Sequence, residues 1–141
     1  MEMRNFMEKE KIKLLMDEAR KAVERSYSPY SNFPVGCALL TKDGKIYTGV
    51  NIENVSFGAT NCAERSAIFT AVSEGYRPGF IEAVAVAGET DNFLPPCSIC
   101  RQVLVEMADA QTPVYLTRRD GEILHTSVEK LVPYAFEKLD M

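Results

Sequence analysis

A chain of 141 residues with a net charge of −4 has the length of one domain, spanning 1–141. It is long enough to bury about 68–70% of its unfolded surface without disulfide support. Hydrophobic residues at 46% and charged residues at 26% suit a globular protein in water, and the acidic balance excludes a phosphate-tracking surface for long nucleic acids. No cationic leader with an apolar core opens the sequence, and no apolar run approaches the ~18 residues of a membrane span. The expectation is a cytoplasmic protein acting on a small molecule, with no nucleic-acid or membrane partner. The four cysteines suit a reducing compartment, where thiols stay free for metal.

From the N-terminus, residues 7–25 place Met7, Ile12, Leu15, Met16, Ala19, Ala22 and Val23 among Lys, Glu and Arg. That spacing predicts an amphipathic helix ending before Ser26-Tyr27-Ser28-Pro29 and packing on a sheet face. Residues 27–34, with Pro29 and Pro34, read as loop. Val35–Thr41 and Lys45–Asn51 read as strands joined at Asp43-Gly44, a strong hairpin signal. Cys37, on the first of them, reads as a small buried hydrophobe. Asn51-Ile52-Glu53-Asn54 closes the second strand and leads through Phe57–Thr60 to Asn61, the expected N-cap of a helix. Ala67, Ile68, Ala71 and Val72 give that helix its apolar spacing until Gly75 stops it.

Ile81–Ala87 is apolar enough for a central strand. A polar loop through Thr90-Asp91-Asn92 reaches Pro96, which precedes a second helical run with Val103, Leu104 and Met107 on one side. Pro113–Thr117 forms a fourth strand, Asp120-Gly121 a turn, and Glu122–Thr126 a fifth strand at an edge. His125, the single histidine, alternates with apolar neighbours there, far in sequence from the cysteines at 62, 97 and 100, and reads as a non-ligand. Ser127 caps a short helix over Val128–Leu131, and Pro133-Tyr134-Ala135-Phe136 follows. The alternation implies an α/β fold, a three-layer α-β-α architecture with a mixed five-stranded sheet.

Three cysteines fall in two short stretches, Asn61-Cys62-Ala63-Glu64-Arg65 and Pro96-Cys97-Ser98-Ile99-Cys100-Arg101-Gln102. Three thiols supply three corners of a tetrahedral zinc site and leave the fourth to water, which separates a catalytic zinc from a closed structural one. Both stretches sit at predicted helix starts, where free N–H groups and the helix dipole favour thiolate. A divalent ion and three thiolates leave one excess negative charge. Two helix N-termini of about +0.5 each offset it, and Arg65 or Arg101 adds to them. Glu64, two residues after Cys62, can handle protons beside the metal without binding it. Taken singly, Glu64 also fits a capping box at the third helical position after Asn61, and a lone C-x-x-C also serves redox or structural zinc sites. The conjunction of all these residues favours catalysis.

Together with Asn51-Ile52-Glu53-Asn54 and the upstream Tyr30-Ser31-Asn32-Phe33-Pro34-Val35-Gly36, these motifs resemble the small, single-domain, free-nucleoside cytidine deaminases. The resemblance runs from about Tyr27 to Phe136 with the motifs in the family's order, and zinc deaminases carry just such a Cys ligand set with a non-ligand Glu. It implies a zinc-dependent aminohydrolase converting cytidine, and 2′-deoxycytidine, to the uridine product and ammonia in pyrimidine salvage. One Zn2+ per subunit would be held by Cys62, Cys97 and Cys100, with Glu64 as the catalytic proton carrier. Asn51 and Glu53 would bind the sugar hydroxyls and Phe33 would lie against the pyrimidine or sugar. The Ala63 N–H would donate to the base carbonyl and Arg65 would hydrogen-bond the thiolates. A homotetramer is implied, with Phe136 reaching the nucleoside pocket of a neighbouring subunit. Two positions depart from the family: Ser98 stands where most relatives carry Gly, and Phe57 where they often carry Tyr.

Two rival readings remain. Relatives acting on the pyrimidine-like antibiotic blasticidin S resemble this chain around zinc but lack the Asn-x-Glu-Asn signature. A structural zinc in an interaction module would instead bring a fourth protein ligand and leave Glu64 without a chemical task.

Overall fold

Helix α1 (Glu2–Val23) begins earlier than its apolar spacing predicts, because Glu2, Met3 and Arg4 ahead of that stripe are themselves good helix formers. The computed structural model describes residues 2–139, the side chains of Glu2 and Met7 excepted; Met7, expected on the apolar stripe, therefore lies outside the described side chains. Leu15, Met16, Ala19 and Ala22 are buried, and Leu15, Met16 and Ala19 pack against Ala38, Ala83, Ala85, Ala87 and Tyr115 of the sheet. Small residues on that face let the helix come close. At Gly36 a Cβ would stand 2.2 Å from the Ala19 carbonyl oxygen.

Strands β1 (Val35–Thr41) and β2 (Ile46–Val50) form the expected hairpin. Its turn is closed by Gly44 at φ +93°, a conformation that favours glycine. Strand β3 (Ile81–Gly88) pairs antiparallel with β1 and parallel with β4 (Pro113–Thr117), and β5 (Ile123–Ser127) runs antiparallel to β4. The order is β2-β1-β3-β4-β5. The parallel β3–β4 pair makes the sheet mixed, and β3, covered on both faces, is buried over Ala83–Ala87.

On the face opposite α1, Cys37, Leu39, Val84, Val86, Val114 and Leu116 meet α2 (Ala63–Ser73) and α3 (Ser98–Met107) through Ala67, Ile68, Ala71 and Leu104. Burying Ile68 or Leu104 contributes about 1.5–3 kcal/mol each. The result is the three-layer α-β-α arrangement. Ser127 accepts the Lys130 N–H at 3.4 Å and so caps α4 (Val128–Leu131). His125 is exposed on the edge strand, edge-on to Tyr115 with ring centroids 5.1 Å apart. Among the described residues no helix is long and apolar enough to cross a membrane.

Candidate metal centre and active site

Cys62 and Cys97 are the N-cap residues of α2 and α3, both with extended backbone. This corrects two expectations. Asn61 lies one residue outside the helix, and Glu64 falls at the second helical position instead of the third. The cause is a long-range pair: Ile52 and Asn61 exchange backbone hydrogen bonds of 2.9 Å in each direction, which holds Asn61 in a β-bridge. The Asn61 amide then donates to Ser66 Oγ at 3.2 Å. No side chain caps α2, so Glu64 takes no part in a capping box.

The same helix starts bring the thiols together. Cys62 Sγ and Cys97 Sγ are 3.7 Å apart, and the sulfurs of Cys62, Cys97 and Cys100 all lie within 4.8 Å of one another. Tetrahedral zinc with Zn–S bonds of about 2.3 Å sets its sulfurs about 3.8 Å apart, so this donor set fits the ion. Among the described residues no His, Asp or Glu joins the group as a fourth member. Cys37 is a free, fully buried thiol on β1, and burial holds it well above the ordinary thiol range, as expected for a core residue.

Arg65 reaches back from the first turn of α2, its Nη2 3.2 Å from Cys62 Sγ and its Nε 3.4 Å from Cys100 Sγ. Arg101 is committed elsewhere. Its Nε donates to the Pro96 carbonyl at 2.7 Å and its Nη1 to the Leu131 carbonyl at 3.0 Å. Of the two arginines that could offset the thiolate charge, Arg65 is the one at the sulfurs. The hydrogen bond with Cys100, then those from Arg65 and Cys97, pull the Cys62 thiol down to about 5 against opposing burial. The same Cys62 contact, with burial and the Glu64 charge, pushes Cys100 upward.

Glu64 is 4% exposed. Burial, with the Cys62 charge adding to it, pushes its carboxyl up to about 7. Ala63, the first residue of α2, is buried, and its N–H belongs to the first turn, where backbone donors have no partner within the helix.

The residues matched to the sugar form a second group. Glu53 is buried at the end of the β2 segment. Its Oε1 accepts the N–H groups of Tyr30 and Ser31, each at 3.0 Å, and its Oε2 accepts the Ser31 hydroxyl. Asn51 Oδ1 accepts the Val35 N–H at 2.9 Å and the Ser26 hydroxyl, while Nδ2 donates to the Phe33 carbonyl at 2.8 Å. Phe33 is 44% exposed on the loop so held. The Ile52–Asn61 pair joins this group to the start of α2. Phe136 is 62% exposed, and its carbonyl accepts Gln102 Nε2 at 2.7 Å.

Residues 9–116 match the family described as the cytidine and deoxycytidylate deaminase zinc-binding region. The chain belongs to that family. A cytidine deaminase from Sporosarcina psychrophila is 50% identical over 130 residues, which cover 92% of this chain and 94% of that protein. One from Halalkalibacterium halodurans is 50% identical over 128 residues, 91% and 96% of the two chains. A solved cytidine deaminase from Burkholderia pseudomallei superposes with a TM-score of 0.85 at 49% identity, covering 87% of this chain and 97% of that one. A blasticidin-S deaminase from Bacillus cereus is more distant, 33% identical over 111 residues, 74% of this chain and 77% of that one.

The matched region contains Cys62, Glu64, Arg65, Cys97 and Cys100, and zinc is the chain's cofactor. Ser98 is the exposed first residue of α3, between two of the cysteines. Phe57 is 71% exposed in a 3-10 turn over Phe57–Ala59. Three contributions were not visible in the sequence: the Ser26 and Ser31 hydroxyls on Asn51 and Glu53, and the Gln102 amide on the C-terminal segment. Each joins residues far apart in the chain, and no spacing rule signals it.

Proposed function

We propose that the protein catalyses zinc-dependent hydrolytic deamination of cytidine and 2′-deoxycytidine to uridine or 2′-deoxyuridine and ammonia, serving pyrimidine salvage in the cytoplasm. The observation that carries this reading is three sulfurs grouped beside a buried carboxyl, with no fourth protein ligand among the described residues. In this reading the catalytic domain spans 1–141 and works as a homotetramer with shared sites.

Cys62, Cys97 and Cys100 would hold the zinc ion. When bound, zinc lowers the pKa of water from about 15.7 towards about 7 and so supplies a nucleophile at neutral pH. Glu64 accepts the attacking water's proton and passes it to ring N3, easing attack at C4. It then takes the proton of the hydroxyl added at C4 and delivers it to the departing amine, so that ammonia leaves and one carboxyl serves first as base and then as acid. A group poised at about 7 suits both tasks. The Ala63 N–H donates to the base carbonyl, Asn51 and Glu53 take the sugar hydroxyls, and Phe33 covers the pyrimidine or sugar. Arg65 stabilises the thiolates.

The test is ammonia release from purified, zinc-loaded protein. Cytidine and 2′-deoxycytidine should both yield ammonia, and Glu64→Gln should lower kcat by about a hundred- to ten-thousand-fold while zinc content stays at the wild-type level. Release from blasticidin S alone would move the protein to the neighbouring substrate class. A Glu64→Gln enzyme of normal rate would remove Glu64 from the mechanism.

A further inference from the structure

We infer that Ser31 is a positioning residue for the sugar end of the substrate, its hydroxyl fixing how the Glu53 carboxylate and the Phe33 loop stand relative to one another. The inference deepens the proposed function and rests on its reading of Asn51, Glu53 and Phe33.

Between Ser28 and Pro34 the loop has one internal backbone bond, Asn32 N–H to the Ser28 carbonyl at 3.0 Å. Among the described residues, apart from the 3.1 Å contact between the Ser26 and Ser28 hydroxyls where it begins, its polar attachments to the rest of the chain run to two side chains. Glu53 holds the Tyr30 and Ser31 N–H groups and the Ser31 hydroxyl, and Asn51 holds the Phe33 carbonyl. Of Tyr30, Ser31 and Phe33, the three residues so held, Ser31 alone is bound to Glu53 through both backbone and side chain. Its Oγ donates to Glu53 Oε2 and accepts the Phe33 N–H at 3.1 Å. An ionised carboxylate cannot donate and a backbone N–H cannot accept, so the hydroxyl proton has one possible direction. Asn32, at φ +55°, turns the chain between the two residues that this hydroxyl joins.

Counting partners shows why this matters. Two N–H groups fill Glu53 Oε1, and the Ser31 hydroxyl takes one side of Oε2, leaving a single acceptor position on the carboxylate. Asn51 likewise keeps one free N–H, since its oxygen has two partners and its nitrogen gives one proton to the Phe33 carbonyl. The direction of the remaining Glu53 lone pair is therefore set by the Ser31 bond. The Ser31 hydroxyl is also the largest cause holding the Glu53 carboxyl below the ordinary range, with the Ser31 and Tyr30 N–H groups adding to it against burial.

Ser31 is itself exposed, and its plain alternative is a loop brace with no bearing on substrate. The two roles separate when the sugar hydroxyls are removed from the substrate. Zinc-loaded wild type, Ser31→Ala and Ser31→Thr would be compared on cytidine and on 2′,3′-dideoxycytidine. Ser31→Ala should raise KM for cytidine about tenfold or more, the scale of a hydrogen bond to a charged group, with kcat within about twofold. On dideoxycytidine its kcat/KM should fall clearly less than on cytidine, because the Glu53 contact it orients is already missing and only its hold on the Phe33 N–H is left to lose. Ser31→Thr, which keeps the hydroxyl, should restore the cytidine KM.

Equal losses on both substrates, or no loss on cytidine, would overturn the inference. A second readout needs no turnover: the 13C titration of the Glu53 carboxyl should move up towards the ordinary carboxylate value in Ser31→Ala, and an unmoved titration overturns the contact. A wild type that hydrolyses neither nucleoside sinks the functional reading instead, and the Glu53 titration then decides the Ser31 bond by itself.

Discussion

Glu64 sits almost fully enclosed, 4% exposed at the second position of α2, and its carboxyl is lifted from 4.5 to about 7, chiefly by that enclosure. A raised carboxyl has a thermodynamic signature. Below pH 4.5 the group is protonated in folded and unfolded chains alike, and its contribution to stability is fully present. As pH rises towards about 7, the unfolded chain releases the proton that the folded one retains, and stability falls. The loss is on the order of 3 kcal/mol across that window in metal-free protein. Glu64→Gln has no such titration. In urea unfolding of the metal-free proteins at about pH 5 and about pH 8, the variant should therefore gain on wild type by roughly that amount as pH rises. A difference that does not change with pH would return Glu64 to an ordinary carboxyl and remove the basis for its double role.

At the scale of elements, the spacing of the thiols depends on how closely α2 lies on β2. Gly49 permits it: a Cβ there would stand 2.4 Å from the Ala67 nitrogen and 2.5 Å from the Ala63 oxygen. Both are helix backbone atoms, so relief requires moving α2 as a body, and Cys62 with it, while Cys97 and Cys100 stay on α3. Gly49→Ala should cost about 3 kcal/mol in urea unfolding and weaken zinc binding in a competitive titration. A variant with wild-type stability would show that α2 has room to spare. Nothing in the sequence marks Gly49, because the close approach is made by residues beyond it in the fold. Local signals were legible. Asp43-Gly44 placed the hairpin, and Gly75 ended α2, at φ +115° with its N–H on the Val72 carbonyl and the Tyr76 N–H on the Ala71 carbonyl. The start of α2 was misplaced by one residue because the strong cap propensity of Asn61 yields to its pairing with Ile52. The thiol group was legible because three cysteines at two helix starts leave few arrangements. The bonds from Asn51 and Glu53 to residues 26–35 join segments whose approach only the fold reveals.

For the whole molecule, the sheet separates two packed faces, with α1 on one and the metal helices on the other, and the C-terminal segment is tied to α3 by the Gln102–Phe136 bond. That bond pins the backbone of Phe136 while the residue stays 62% exposed, an arrangement suited to presenting an aromatic group to another subunit. In the proposed assembly the ring completes a neighbour's nucleoside pocket, and Phe136→Ala should lower kcat/KM about tenfold or more. Loss alone does not say whose pocket the ring serves; mixing does. Glu64→Gln subunits keep the ring and lack the carboxyl, while Phe136→Ala subunits keep the carboxyl and lack the ring. If each ring served its own subunit, every site in a mixed assembly would carry one defect, and the rate would be the average of the two parents. If the ring crosses to a neighbour, random pairing in a symmetric assembly makes about a quarter of the sites whole. Co-refolding the two variants in equal amounts should then raise ammonia release well above that average, in proportion to the mixed species resolved by native mass spectrometry. A rate equal to the parental average, with mixed species present, would assign the ring to its own subunit.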